Sequence, residues 1–203
     1  MTQPRRRPGG RTARIRRDVL DAVLAELGEH GYDGLTMEAV AARAGVHRAT
    51  VYRRWGDAGG LLADVLDAAG DDTWRPPDTG SLHSDLARLN QEIQDALTAR
   101  PPITSALIVA SFRSEQAERA QRRLWEDRYA RCEIVVERAV RRGELPPRTK
   151  ARPLLIAATA PVYHHLVLLR TPPDPDLPGQ AARTAALAAS AGAFTDPAPA
   201  DHP

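Results

Sequence analysis

The 203-residue chain has one cysteine, Cys132, and one lysine, Lys150. A single thiol excludes a disulfide framework and every metal module built on paired cysteines, and it suits a reducing compartment. Aromatic residues make up only 4% of the chain. No run of 18 clean apolar residues occurs. The longest candidate, 154–169, is interrupted by Pro161 and the pair His164-His165, which argues against a membrane-spanning helix. The basic N-terminus reaches Asp18 and Asp21 before any apolar region, so it does not read as a secretory leader. There is no HExxH, no glycine-rich phosphate loop, and no glycine elbow around Ser105, Ser111 or Ser114, so the enzyme classes lack their usual machinery. The side-by-side His164 and His165 point about 100° apart on a helix and do not suit one metal ion. The expectation is a cytoplasmic protein with no cofactor, no metal and no catalytic site.

What is present is enough to fold. Apolar residues make up 42% of the chain, and a compact chain of this length buries about 70% of its extended surface. The formal net charge of +2 hides an asymmetry: residues 1–60 carry +4 and residues 61–203 carry −2. The first 17 residues hold seven arginines (5, 6, 7, 11, 14, 16 and 17) and no acid. A basic end on a mildly acidic body suits a polyanionic partner, although a solvated tail has the same composition.

The periodicity is helical throughout, without strand alternation or an internal repeat, so the fold class is all-α. A first helix is expected from Thr12, with Ile15, Val19, Ala22, Val23 and Leu27 on one face and Gly28 and Gly31 ending it. Thr36 is placed to cap a short second helix through Arg43, and a third runs from Arg48 to Trp55. A fourth carries Leu61, Leu62, Val65, Leu66 and Ala69, before a turn-rich boundary at 74–80. Further helices are expected at 82–97, at 103–113, from Leu124 to Val140, at 154–169 with a kink at Pro161, and at 180–194. This divides the chain into a flexible basic arm (1–11), a helix-turn-helix domain (12–72), a larger helical domain (73–195) and a loose tail (196–203).

The most informative stretch is Thr36–Trp55, TMEAVAARAGVHRATVYRRW. Small Ala41 lets two helices cross closely, Gly45 can take the positive φ of a tight turn, and Val46 and Val51 face the core. The third helix then presents Arg48, Ala49, Thr50, Arg53 and Arg54 outward. Arginine bonds guanine edges or phosphates, threonine and alanine meet a thymine methyl, and Tyr52 can donate to a phosphate.

Residues 12–70 resemble the DNA-binding domain of TetR-family transcriptional regulators, chiefly through GYDGLTMEAVAARAGVHRATVYRRW. The resemblance implies a homodimer on a palindromic operator in double-stranded DNA, acting most often as a repressor released by a small-molecule effector. Position by position, it places Thr36 at a cap and a phosphate, and Arg48, Ala49, Thr50 and Arg53 along the major groove. Tyr52 and Arg54 fall beside the backbone, with His47 as either a cap or a phosphate contact, and Trp55 in the core; Arg14 of the basic end is a further expected DNA contact. Family members commonly open the fourth helix with a phosphate-gripping lysine. Here the sequence reads Asp57-Ala58, so Asp57 is expected as a cap.

The resemblance further implies that the last two helices form the dimer interface, with an effector site in the second domain. Polar and aromatic side chains on otherwise apolar helices are the candidate ligand contacts: Phe112, Trp125, Tyr129, Cys132, Tyr163, His164 and His165. Taken alone, each of these residue types more often serves core or interface packing. With nine aromatics in all, a mainly aliphatic pocket is expected. The alternative function is a DNA-binding regulator or architectural protein without an effector.

Overall fold

The computed structural model describes residues 9–195, and among these are nine α-helices and no strand. Arg5, Arg6 and Arg7 of the expected arm and the tail at 196–203 lie outside the described residues. The helices are α1 (Gly9–His30), α2 (Met37–Arg43), α3 (Arg48–Trp55), α4 (Ala58–Gly70), α5 (Leu82–Thr98), α6 (Ile103–Ser111), α7 (Glu115–Arg141), α8 (Ala151–Tyr163) and α9 (Leu177–Ser190). A π turn, His164–Leu168, follows α8 directly. Among the described residues, no helix is long and apolar enough to cross a membrane.

Several boundaries differ from the sequence expectation for identifiable reasons. Helix α1 starts at Gly9 rather than Thr12, so Gly9–Arg11 of the expected flexible arm are helical. It also continues past Gly28 and ends where Gly31 takes φ +67°, with its N–H on the carbonyl of Leu27. Gly28 has a packing role instead: a Cβ there would lie 2.9 Å from the Cβ of Pro101. Helix α7 begins nine residues before Leu124 because its polar first half is laced by i,i+4 pairs, Glu115–Arg119 and Glu118–Arg122. Helix α9 begins at Leu177 with proline in its first turn, where the missing N–H is harmless. After Pro161 the irregularity takes the form of a π turn, in which Leu169 N–H bonds the carbonyl of His164, five residues back.

The chain forms two compact units. The first comprises residues up to Asp72 together with Arg100–Leu124, so α6 and the first ten residues of α7 pack with α1–α4. Its core holds Val19, Val23, Leu27, Val40, Val51, Leu61, Leu62 and Leu66, with Ala110, Ala117 and Ala120 supplied by α6 and α7. The second unit comprises Thr73–Ala99 and the chain from Trp125 onward. There Leu82, Leu86, Val135, Leu154 and Leu155 pack with Ala182, Ala185 and Ala189 of α9. Asn90 is completely buried and donates from Nδ2 to the carbonyls of Ala158 (2.9 Å) and Pro178 (3.1 Å), pinning α5 to α8 and α9.

Candidate functional site

Local rules build the helix-turn-helix. Thr36 is extended, and its Oγ1 accepts the N–H of Ala39 at 3.1 Å, capping α2. Arg43 at the end of α2 donates to Glu26 (2.6 Å) and Glu29 (2.5 Å) of α1, which seats the helix. Gly45 turns the chain with φ +63°, and Val46 N–H closes the turn on the carbonyl of Ala41. His47 then caps α3, its Nδ1 accepting the Ala49 N–H at 3.4 Å. Val51 and Trp55 are buried, which rolls the other side of α3 outward.

On that outer side Arg48, Ala49, Tyr52, Arg53 and Arg54 are exposed and Thr50 is half-buried. Among the described residues, the side chains of Arg48 and Arg53 make neither a hydrogen bond nor an ion pair. Tyr52 is engaged: its hydroxyl donates to Glu38 of α2 at 3.0 Å, and this bond raises the phenol's pKa. Arg54 turns back, its guanidinium 4.8 Å above the Trp55 ring and donating to the Thr12 carbonyl at 3.3 Å. Arg14 is exposed on α1. Asp57 caps α4 by accepting the Gly60 N–H at 3.0 Å, as the residue pair at its start implies.

Three contributors escape the sequence reading. Glu38 places a carboxylate on the outer face beside Tyr52. Asp64 of α4 accepts the Trp55 indole N–H at 2.8 Å and also binds Arg16 of α1 at 2.7 Å. Arg43 is the third. A lone carboxylate amid the apolar row Leu61, Leu62, Val65 and Leu66 was a legible signal for Asp64. Nothing in the sequence marks Glu38.

In the second unit four of the seven candidate effector residues come together. Trp125, Tyr129 and Cys132 form a stripe on α7. The Trp125 ring meets Tyr163 of α8 edge-on at 5.1 Å and Tyr129 at 6.2 Å. Thr159 Oγ1 donates to the carbonyl of Leu155, so the Tyr129 hydroxyl donates to Thr159 (3.2 Å). Burial pushes the Cys132 thiol up to about 11 and raises the Tyr163 phenol as well. The other three candidates stand apart. Phe112 is 73% exposed at the end of α6 and belongs to the first unit. His164 is exposed, and His165 Nε2–H donates to the carbonyl of Pro172 at 2.8 Å. Sequence reading also missed Asn90 and Gln94, one turn apart on α5, whose buried side-chain carbonyl oxygens have no hydrogen-bond donor. An open groove of about 440 Å³ beside the start of α5 is lined by Leu82, His83, Glu144, Arg183 and Leu187, among others, and contains none of the candidates.

Comparison with known proteins converges on one family. Residues 19–65 match the family described as bacterial regulatory proteins, tetR family. Residues 76–198, more than half of the chain, match the tetracyclin repressor-like C-terminal domain. The HTH-type transcriptional regulator AqdR of Rhodococcus erythropolis is 35% identical over 84% of this chain and 83% of its own. The DNA-binding transcriptional repressor TetR of Mycobacteroides abscessus is 28% identical over 74% of this chain and 80% of its own. A crystal structure of the TetR-family regulator SCO0332 superposes with a TM-score of 0.65 at 28% identity, covering 85% of this chain and 96% of that one. The chain belongs to the TetR family of DNA-binding, helix-turn-helix transcriptional regulators.

Proposed function

We propose that the protein is a cytoplasmic repressor that binds a palindromic operator as a homodimer and is released by a small molecule bound in its second unit. In this reading residues 12–72 form the DNA-binding domain and 73–195 the effector and dimerisation domain. Repression is supported by the relative from Mycobacteroides abscessus, which is named a repressor.

One observation carries the DNA reading: Val51 and Trp55 fix the roll of α3 so that Arg48 and Arg53 stand exposed with no partner in the fold. A cationic pair left free on an eight-residue helix suits base edges in a major groove, with Ala49 and Thr50 between them. Thr36, His47, Tyr52 and Arg14 fall at the flanks, where the backbone phosphates run. Tyr52 must leave Glu38 to reach one. Arg48→Ala and Arg53→Ala are each expected to lose about 1–3 kcal/mol per half-site and to relax preference at one base pair. Gel-shift titration against duplexes selected from a random pool tests this. Unchanged affinity and preference in both variants would refute it.

The dimer reading rests on apolar side chains that the fold leaves outside. Ile156 of α8 and Leu187 of α9 are 45% and 63% exposed. Ala182, Ala185 and Ala189 of α9 do not serve this purpose, because they face inward, as do Leu155 and Val162 of α8. Leu187→Glu is therefore the charge insertion that should yield folded monomers in sedimentation. The effector reading rests on Trp125, Tyr129, Cys132 and Tyr163, with the unpartnered carbonyls of Asn90 and Gln94 on α5. An effector acts only by favouring one of two dimer geometries, so it must bind free protein more tightly than operator-bound protein.

A further inference from the structure

We infer that Asp64 is a positioning residue: it lies away from the proposed DNA face yet sets the aim of α3, and so governs sequence discrimination. The inference rests on α3 being the DNA-reading helix and goes beyond it by naming what holds that helix at its angle. An eight-residue helix has little stability of its own and takes its orientation from its ties. Its last residue, Trp55, is buried, and the indole N–H donates to Asp64 Oδ2 at 2.8 Å. The same carboxylate receives Arg16 of α1 in a fork, Nε at 2.9 Å and Nη2 at 2.7 Å to Oδ1. One side chain of α4 thus joins the end of α3 to the body of α1. Arg54 completes the clamp from the other side, over the Trp55 ring and on the carbonyl of Thr12.

The surroundings argue that these bonds matter. Asp64 stands among Leu61, Leu62, Val65 and Leu66, all buried. Asp64 itself is half-buried, its side chain 23% exposed, so pairing offsets a partial loss of hydration. Burial pushes its pKa up, yet the hydrogen bonds from Arg16 and Trp55 outweigh this and hold it below the usual range. Geometry and charge agree that the carboxylate is ionised and engaged by both partners.

The test exploits a conflict of signs. Asp64→Asn removes a negative charge from the DNA-binding unit and frees Arg16, so electrostatics alone would strengthen binding to any duplex. Loss of aim weakens binding to the operator only. Operator duplexes selected by the wild-type chain are titrated beside a shuffled duplex of the same composition, together with thermal melting. Arg16→Lys keeps the charge but loses the fork, and Trp55→Phe keeps the ring but loses the N–H. In Asp64→Asn the operator-to-shuffled affinity ratio should fall roughly tenfold or more, the scale of lost hydrogen bonds to a charged group. Affinity for the shuffled duplex should hold or rise. Arg16→Lys and Trp55→Phe should fall in the same direction by smaller factors, and they decide the matter alone if Asp64→Asn does not fold.

An unchanged ratio in all three variants would overturn the inference. So would parallel loss of both affinities in step with melting temperature. Arg48→Ala separates the two levels. If it loses operator preference while these three keep it, the helix reading stands and Asp64 is merely structural. If Arg48→Ala also keeps preference, or if the wild-type chain enriches no duplex, the helix reading itself fails and takes this inference with it.

Discussion

Helices α2 and α3 of the first unit, seven and eight residues long, each open on a side-chain cap, from Thr36 and His47, whereas α8 and α9 of the second, 13 and 14 residues long, open on none. Length permits the contrast without dictating it, since α4, of 13 residues, is capped by Asp57 and α5, of 17, by Ser81. Helices of seven and eight residues leave about half of their N–H groups without an intrahelical acceptor, so caps and ion pairs such as Arg43–Glu26 help hold them. Helices of 13 and 14 residues can instead rely on a buried face, here the alanine seam where α9 meets α5. The short helices α2 and α3 are thus held by directed bonds that leave one face of α3 free, and the α9 seam by close packing.

The largest expected effect probes the packed side of this contrast. Ala185 is 3% exposed within its own unit, so Ala185→Glu should destabilise the second unit by about 3–5 kcal/mol rather than merely separate two subunits. A melting curve showing wild-type stability would mean that the seam is looser than its burial indicates. Next comes Asn90→Ala, which strips donors from the carbonyls of Ala158 and Pro178 and should cost about 1–3 kcal/mol. Thr36→Ala should cost about 1 kcal/mol, and Thr36→Ser should restore it. If hydrogen exchange finds the loss spread over the second unit rather than confined to the first, the division between the two is wrong.

A further test is one of pH. Burial raises the Cys132 thiol from its ordinary value near 9 to about 11. The folded state thus holds this proton more tightly than the unfolded chain does. Its contribution is complete below about pH 9 and declines as the pH climbs toward 11. Melting temperatures across that window should fall less steeply in Cys132→Ala than in the wild type.

Short-range chemistry made the helix-turn-helix legible. A threonine before an apolar run, a glycine that must turn left-handed, and valines that must face inward each depend on a few neighbours. Those rules extend to Asp57 and Trp55, and they locate Arg48 and Arg53 on the outer face. They do not reach partners brought together across the fold. Asp64 lies nine residues from Trp55 but 48 from Arg16, and Glu38 lies 14 from Tyr52. In α7 the first half is polar enough to read as a loop, because its buried side is marked only by Ala117, Ala120 and the polar Gln121. In α9 a run of alanines says that something approaches closely without saying what. Its neighbours are α5 and α8 of the same unit.

The π turn at His164–Leu168 has a consequence for chain length. A bond that reaches five residues back accommodates one residue more than an α-helical turn would. Removing one residue there would leave an ordinary helical turn. The inward row of Leu154, Leu155, Ala158 and Val162 lies upstream of the turn and α9 lies beyond a loop, so neither would need to change register. Within α5 or α9 the same deletion would rotate every later side chain by about 100° and bring polar groups into the seam. Among relatives of differing length, a single-residue gap therefore belongs at this turn.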